Sequence, residues 1–216
     1  METKDLERLA SVAVQISINP GRTFIDEGDP AEHFYNVTSG TAKLFKLLPD
    51  GRRQITGFAG TGHFLGLAVS SSYAFSAEAV DPMGICRFSR SKLRVLLDDF
   101  PAVEKRLLEV ASNELVAAQE QMLLLGRKTA RERLASFLID RATLPVRCLG
   151  HRPGVAETVL LPMTRSDIAD YLGLTIETVS RTLTKLKGEG LIDIPSSAEV
   201  VIRRHNMLES IATGMT

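Results

Sequence analysis

Tryptophan is absent from this chain of 216 residues, and cysteine occurs only twice, at Cys86 and Cys148. Two thiols so far apart supply neither a disulfide framework nor the ligand set of a zinc or iron–sulfur site. An excess of either charge is also missing. Lys and Arg number 26 and Asp and Glu 26, with a pI near 6.9, so no global field draws a polyanion. No apolar run has the length of a membrane span, and the opening METKDLERLA carries acidic residues where a signal peptide would be apolar. These absences lead to the expectation of a soluble, cytoplasmic, non-membrane protein.

What remains is a chain that is 44% hydrophobic, enough to bury one large core or two smaller ones. The charge is unevenly placed. Residues 1–125 hold 13 basic against 16 acidic side chains, and residues 126–216 hold 13 against 10, so the positive balance lies toward the C-terminus.

Three periodicities divide the chain. From about Asn19 to Phe88, glycines punctuate short runs rich in β-branched and aromatic residues, among them TFIDEG, HFYNVTSG, TAKLFKLL, RRQITGF and GICRFS. That spacing predicts an all-β sandwich or barrel. In LPDGRRQI, Pro49, Asp50 and Gly51 supply a fixed φ, an Asx-type bond and a permitted positive φ for a hairpin turn.

From Pro101 the period lengthens. Leu108, Ala111, Leu115, Ala118, Met122 and Leu125 follow at alternating spacings of three and four, which is a short heptad seam. Such a seam either packs on its own β domain or is shared by two chains; small Ala111 and Ala118 favour the shared arrangement and a homodimer. Gly126 predicts a break, after which Thr129 and Glu132 have capping-box spacing for a second helix.

From about Val159, MTRSDIADYLGL predicts a helix capped by Thr164, with Asp167 as its partner and Ile168, Ala169 and Leu172 inward. Gly173 suits the left-handed C-cap, and Thr175 caps a following helix whose Ile176, Val179, Leu183 and Leu186 form an apolar stripe. Glu177, Arg181, Thr184 and Lys185 fall opposite that stripe, with Ser180 at its border. Two helices joined by a short glycine turn are the helix-turn-helix pattern, whose second helix enters the DNA major groove. Arg can pair with guanine O6 and N7, Glu can accept from cytosine N4, and Ser can serve either role. The plainer alternative is a solvated i,i+4 pair of Glu177 and Arg181. Leu191 to Ile194 and Val200 to Ile202 then predict a hairpin wing, with Arg203 and Arg204 available to phosphate or to solvent.

The β domain, the seam helix and the stretch LPMTRSDIADYLGLTIETVSRTLTKLKGEGLI together resemble the CRP/FNR family of bacterial transcription regulators over essentially the whole chain. The resemblance implies an α+β architecture: a cyclic-nucleotide-binding-like β-roll at 1–100, a dimerisation helix at 101–126 and a winged helix-turn-helix at 127–216. The ExxSR arrangement is similar to the FNR and FixK branch; the cyclic-AMP branch carries Arg where this chain has Ile176. It implies a non-enzymatic regulator, an activator of low-oxygen, respiratory or nitrogen-metabolism genes, working with RNA polymerase on double-stranded DNA with a palindromic TTGA-type site. Glu177, Ser180 and Arg181 would read bases, and Arg165, Thr175 and Thr178 would touch phosphates.

Departures from the family bear on the input signal. Leu67 stands where cyclic-AMP binders have Glu and Phe75 where they have Arg, leaving only Ser76. No cysteine precedes Cys86 to hold an oxygen-sensing cluster. The expectation is a FixK-like protein with no cofactor and no metal, governed largely by its own synthesis. A regulator gated by a small molecule or by haem on His63, or a cupin-like metal enzyme using His33 and His63, are the competing readings; His63 is a lone histidine in a turn, and the closely spaced His-x-His set of a cupin is missing. Cys86 is expected to be a buried small hydrophobe, and Cys148 to lie exposed in the connector PVRCLGHRPG.

Overall fold

The computed structural model describes residues 13–67, 70–92, 101–149 and 157–215, with side chains throughout except at 101–104, 106–107 and 143–149. The opening METKDLERLA, two residues of the loop between Leu67 and Ser70, and the latter half of PVRCLGHRPG lie outside the described residues. The chain divides into two compact units at Gln119 and Glu120.

In the first unit, β1 (Val14–Ile18), β2 (Thr23–Ile25), β3 (His33–Ser39), β4 (Ala42–Leu47), β5 (Arg53–Ala59), β6 (Phe64–Leu65), β7 (Ser76–Ala79) and β8 (Met83–Ser89) form two antiparallel sheets. One has the order β1-β8-β3-β6 and the other β2-β7-β4-β5. The chain crosses repeatedly from one sheet to the other, which is the expected β-roll. Ile25, Val37, Ala42, Ala77, Ala79 and Ile85 are buried in one apolar cluster. The alanines matter because β7 alternates inward Ala77 and Ala79 with outward residues, giving sheets a close approach without bulky side chains between them. Phe34 and Phe88 are opposite partners across β3 and β8 and stack at 4.7 Å.

The hairpin after β4 has the chemistry read from its sequence. Gly51 adopts φ 86, the Gly51 amide donates to Leu48 O, and Asp50 Oδ1 accepts from the Arg52 amide at 3.1 Å. Cys86 lies in β8 but is only half-buried, a correction to its expected place in the core: Met83 and Ile85 take the strand's positions facing the core cluster.

Helix α1 (Pro101–Arg127) continues through Gly126 without interruption. The expected break is therefore displaced to Lys128 and Thr129; a single glycine near a helix end costs too little to stop it. Helix α2 (Ala130–Leu149) begins with the anticipated box, the Thr129 amide donating to Glu132 Oε2 at 2.8 Å. It also extends as far as Leu149, so the backbone of Cys148 belongs to a helix and not to the connector.

The second unit completes itself with β9 (Glu157–Leu160), α3 (Arg165–Leu172), α4 (Ile176–Gly188), β10 (Ile192–Ser196), β11 (Glu199–Ile202) and α5 (His205–Ala212). The wing hairpin β10–β11 gains β9 as a third strand on its β11 edge. Leu134, Phe137 and Leu138 of α2 are buried with Leu208 and Ile211 of α5 and Leu183 and Leu186 of α4. The result is a winged helix-turn-helix around one small core.

A glycine between β3 and β4 tests the roll. Gly40 has φ +79, and a Cβ there would stand 2.6 Å from Pro82 O, whereas Gly21 has φ +76 with open space around it. Gly40→Ala is expected to lose more than about 2 kcal/mol, and Gly21→Ala only about 1 kcal/mol for its backbone conformation. Urea unfolding of the whole chain measures both, and equal losses would contradict the close approach.

Candidate nucleic-acid interface

The site is built outward from two helix ends. At α3, the Thr164 hydroxyl accepts from the Asp167 amide at 3.0 Å while Asp167 Oδ2 accepts from the Thr164 amide at 3.0 Å. This reciprocal box satisfies two donors that a helix start leaves without intrahelical partners. Asp167 is buried to do so, which is tolerable because its carboxylate is fully engaged. The helix stops at Gly173 with φ 61, whose amide donates to Ala169 O.

Two residues later α4 starts. Thr175 accepts from the Thr178 amide at 3.2 Å, and its hydroxyl lies 3.1 Å from that of Thr178. Val179, Leu183 and Leu186 are buried, and they fix the rotation of α4 about its axis. Ile176 was expected to extend this stripe, but it is 46% exposed. It precedes the buried run by a turn, at a helix start where no other element covers it, so it stands beside the polar face.

The polar face of α4 lies open to solvent. Glu177, Ser180 and Arg181 are all exposed. The Thr184 hydroxyl turns back to Ser180 O at 3.0 Å and the Thr182 hydroxyl to Thr178 O at 2.7 Å, so these two are satisfied locally. Neither the Ser180 hydroxyl nor the Arg181 guanidinium hydrogen-bonds elsewhere among the described residues. The Glu177 carboxyl is held below the usual carboxylate range, first by its own backbone N–H, then by the Thr175 hydroxyl, with the charge of Arg181 adding to both. The face thus presents one fixed acceptor and a guanidinium fork, side by side.

The three residues expected at phosphates lie at the starts of two helices. Thr175 and Thr178 form the cap of α4, and Arg165 opens α3. Arg165 Nη1 is buried with no partner, and burial lowers the pKa of this guanidinium. An unpaired buried donor is costly unless something supplies an acceptor. In the same unit, Asp193 receives both Lys187 at 3.5 Å and Arg203 at 3.4 Å. Arg204 Nη1 reaches Met207 Sδ at 3.8 Å.

Leu108, Ala111, Leu115, Ala118 and Met122 are exposed, and Leu125 is half-buried near Gly173. Val116 and Leu123, also exposed, widen the apolar surface beyond the heptad positions.

In the first unit, the positions that a cyclic nucleotide would need hold Leu67, half-buried, and Phe75, which packs against the apolar core. The Ser76 hydroxyl accepts from the Glu27 amide at 3.0 Å. The Arg90 guanidinium donates to Gly66 O at 2.5 Å and Ser70 O at 2.8 Å, so it closes the loop by bonding its carbonyls. These residues do not fit an anionic cyclic phosphate. His63 Nδ1 lies 3.0 Å from Gly60 O within its own turn. Among the described residues no group of three or more His, Cys, Asp or Glu side chains is arranged to hold a metal ion, and no helix is long and apolar enough to cross a membrane.

Comparison with known proteins agrees with this geometry. Residues 132–211 match the Crp-like helix-turn-helix domain and residues 15–100 the cyclic nucleotide-binding domain. The chain is 45% identical over 193 residues to the transcriptional activatory protein AadR of Rhodopseudomonas palustris, covering 88% of this chain and 78% of that protein. It is 43% identical to the nitrogen fixation regulation protein FixK of Bradyrhizobium diazoefficiens, covering 90% and 80%. The structure of FixK2 from Bradyrhizobium japonicum superposes with a TM-score of 0.83 at 38% identity, covering 93% of this chain and 97% of that one.

The influence of the Thr175 hydroxyl on the Glu177 carboxyl gives a direct test. A carboxyl with a depressed pKa contributes stability above its unfolded value and loses it as pH falls through the folded one. Thr175→Ala is expected to move the Glu177 pKa up toward the ordinary range, as read from its side-chain carboxyl NMR signal. An unmoved titration would remove Thr175 from the account.

Proposed function

This chain belongs to the CRP/FNR family of DNA-binding transcription regulators, and on that basis we propose that it reads a two-fold TTGA-type site as a homodimer. The observation that carries the reading is α4 itself. Its apolar stripe and Thr175 cap hold it in place, and its exposed face gathers Ile176, Glu177, Ser180 and Arg181.

The chemistry of a TTGA half-site suits that set. Arg181 donates its fork to guanine O6 and N7, Glu177 accepts from N4 of the opposing cytosine, and Ser180 meets a neighbouring base. An acidic side chain is unfavourable against phosphate but not against a cytosine amino group. Exposed Ile176 offers apolar contact to a thymine methyl. Arg165 supplies the orphaned Nη1 to a phosphate oxygen, and Thr175 and Thr178 approach the backbone at the positive end of α4.

The exposed heptad seam of α1 supports the dimer, with small Ala111 and Ala118 allowing the two helices to come close. Two reading helices then meet half-sites about one helical turn apart. For RNA polymerase, the β4–β5 hairpin is the candidate contact, its exposed Leu47 standing next to Asp50, Arg52 and Arg53. By likeness to a transcriptional activatory protein and a nitrogen fixation regulation protein, the genes served are those of low-oxygen, respiratory or nitrogen metabolism, activated in the cytoplasm. With the nucleotide positions filled by Leu67 and Phe75, the amount of protein made is the main control.

Two measurements test these assignments. Arg181→Ala is expected to weaken binding to a matched palindrome by about 1–3 kcal/mol per base contact, or ten- to a hundredfold, and to flatten discrimination at the guanine, at fixed salt. Undiminished discrimination would sink the role given to Arg181. Leu115→Glu is expected to convert the dimer to monomer in sedimentation, and a persistent dimer would place the interface elsewhere.

A further inference from the structure

Helix C-termini leave carbonyls without intrahelical donors and carry a partial negative charge. Two such carbonyls, and a third from the link after α1, meet at one side chain of α2. Arg133 Nη2 donates to Leu125 O at 2.8 Å, in the last turn of α1; Nε donates to Lys128 O at 2.9 Å, in the link to α2; and Nη1 donates to Leu172 O at 2.8 Å, the final residue of α3. The elements converge closely, since a Cβ on Gly173 would stand 3.4 Å from both Arg133 Nη1 and Leu125 Cδ2. A second strut runs parallel: Gln121 Nε2 of α1 donates to Tyr171 O of α3 at 3.0 Å.

We infer that Arg133 is a positioning residue for DNA reading, joining the end of α1 to the end of α3 and so setting where α4 is presented. The inference rests on the DNA-reading role of α4 proposed above. Leu172 leads directly into Gly173, the left-handed turn and the Thr175 cap, so only two residues separate the held carbonyl from the start of that cap. The geometry needs arginine. A planar guanidinium projects fixed N–H donors in three directions, whereas an ammonium is a point charge on a flexible stem. Met122 and Leu125 of the seam belong to the same end of α1. A shift of that end relative to α2 therefore breaks bonds to the α3–α4 turn instead of passing unnoticed.

The test separates placement from simple stability. The full-length chain is titrated on three DNAs: a single TTGA half-site, the palindrome with natural spacing, and the palindrome with about two base pairs inserted. The unaltered chain is expected to prefer natural spacing. In Arg133→Lys that preference falls by about tenfold, the effect of one charged hydrogen bond, while single half-site affinity changes by less than about threefold. Loss in equal proportion on all three DNAs, or an unchanged spacing preference, overturns the positioning role. If the unaltered chain shows no preference for a paired site, the dimeric reading itself fails and the inference falls with it. Should Arg133→Lys not fold, Gln121→Leu takes its place. A smaller flattening of the same kind supports the role, and retention of the full preference overturns it.

Discussion

Backbone groups at helix ends must find partners, and the C-terminal unit is organised around that requirement. Its segments are short, so a large fraction of its amides and carbonyls sit in first or last turns. Thr129 with Glu132, Thr164 with Asp167, Gly173, and Thr175 with Thr178 each settle one terminus locally. Arg133 settles three carbonyls at once, and they come from three different segments. The buried stripe of α4 supplies the hydrophobic free energy, but it restrains rotation about the helix axis better than the position of the helix start. Caps and guanidinium supply that second restraint.

The N-terminal unit solves a different problem. Two sheets linked by repeated crossings must meet on a common face, and alanines on β4 and β7 let them approach closely. In a roll built to hold an anion, buried cationic groups would face the interior. Here the charged pair Lys43 and Glu78 joins neighbouring strands at 2.9 Å, and Arg90 is spent on backbone carbonyls. The charges of Lys43 and Arg90 are thereby matched inside the protein.

Much of this could be read along the chain because it depends on near neighbours. The hairpin at Asp50 and Gly51, the boxes at Thr129 and Thr164, and the left-handed Gly173 are encoded within four residues of one another. Strands β1 and β7 carry little local signal: VQISI precedes the glycine-punctuated region, and SAEA is made of residues with little strand preference, ordered by the sheet around them. Gly126 does not break α1 because its conformational cost is small beside the rest of a long helix. Ile176 fits the apolar period yet is exposed, because the periodicity of a stripe does not say where the covering element ends. Arg133 carried no local signal at all; in RERLASF it looks like an ordinary surface position, and its three acceptors are revealed only when Leu125 and Leu172 converge.

The polar face of α4 shares almost no residues with the machinery that holds the helix. Val179, Leu183 and Leu186 anchor it, Arg133 locates it, and Ser180 and Arg181 take part in neither task. Such a partition leaves the outward positions open to substitution without unfolding the domain. Glu177 is the exception, its carboxyl held low in part by the hydroxyl of the Thr175 cap. Of the outward residues it is the one whose charge is felt by the foundation as well as by the façade.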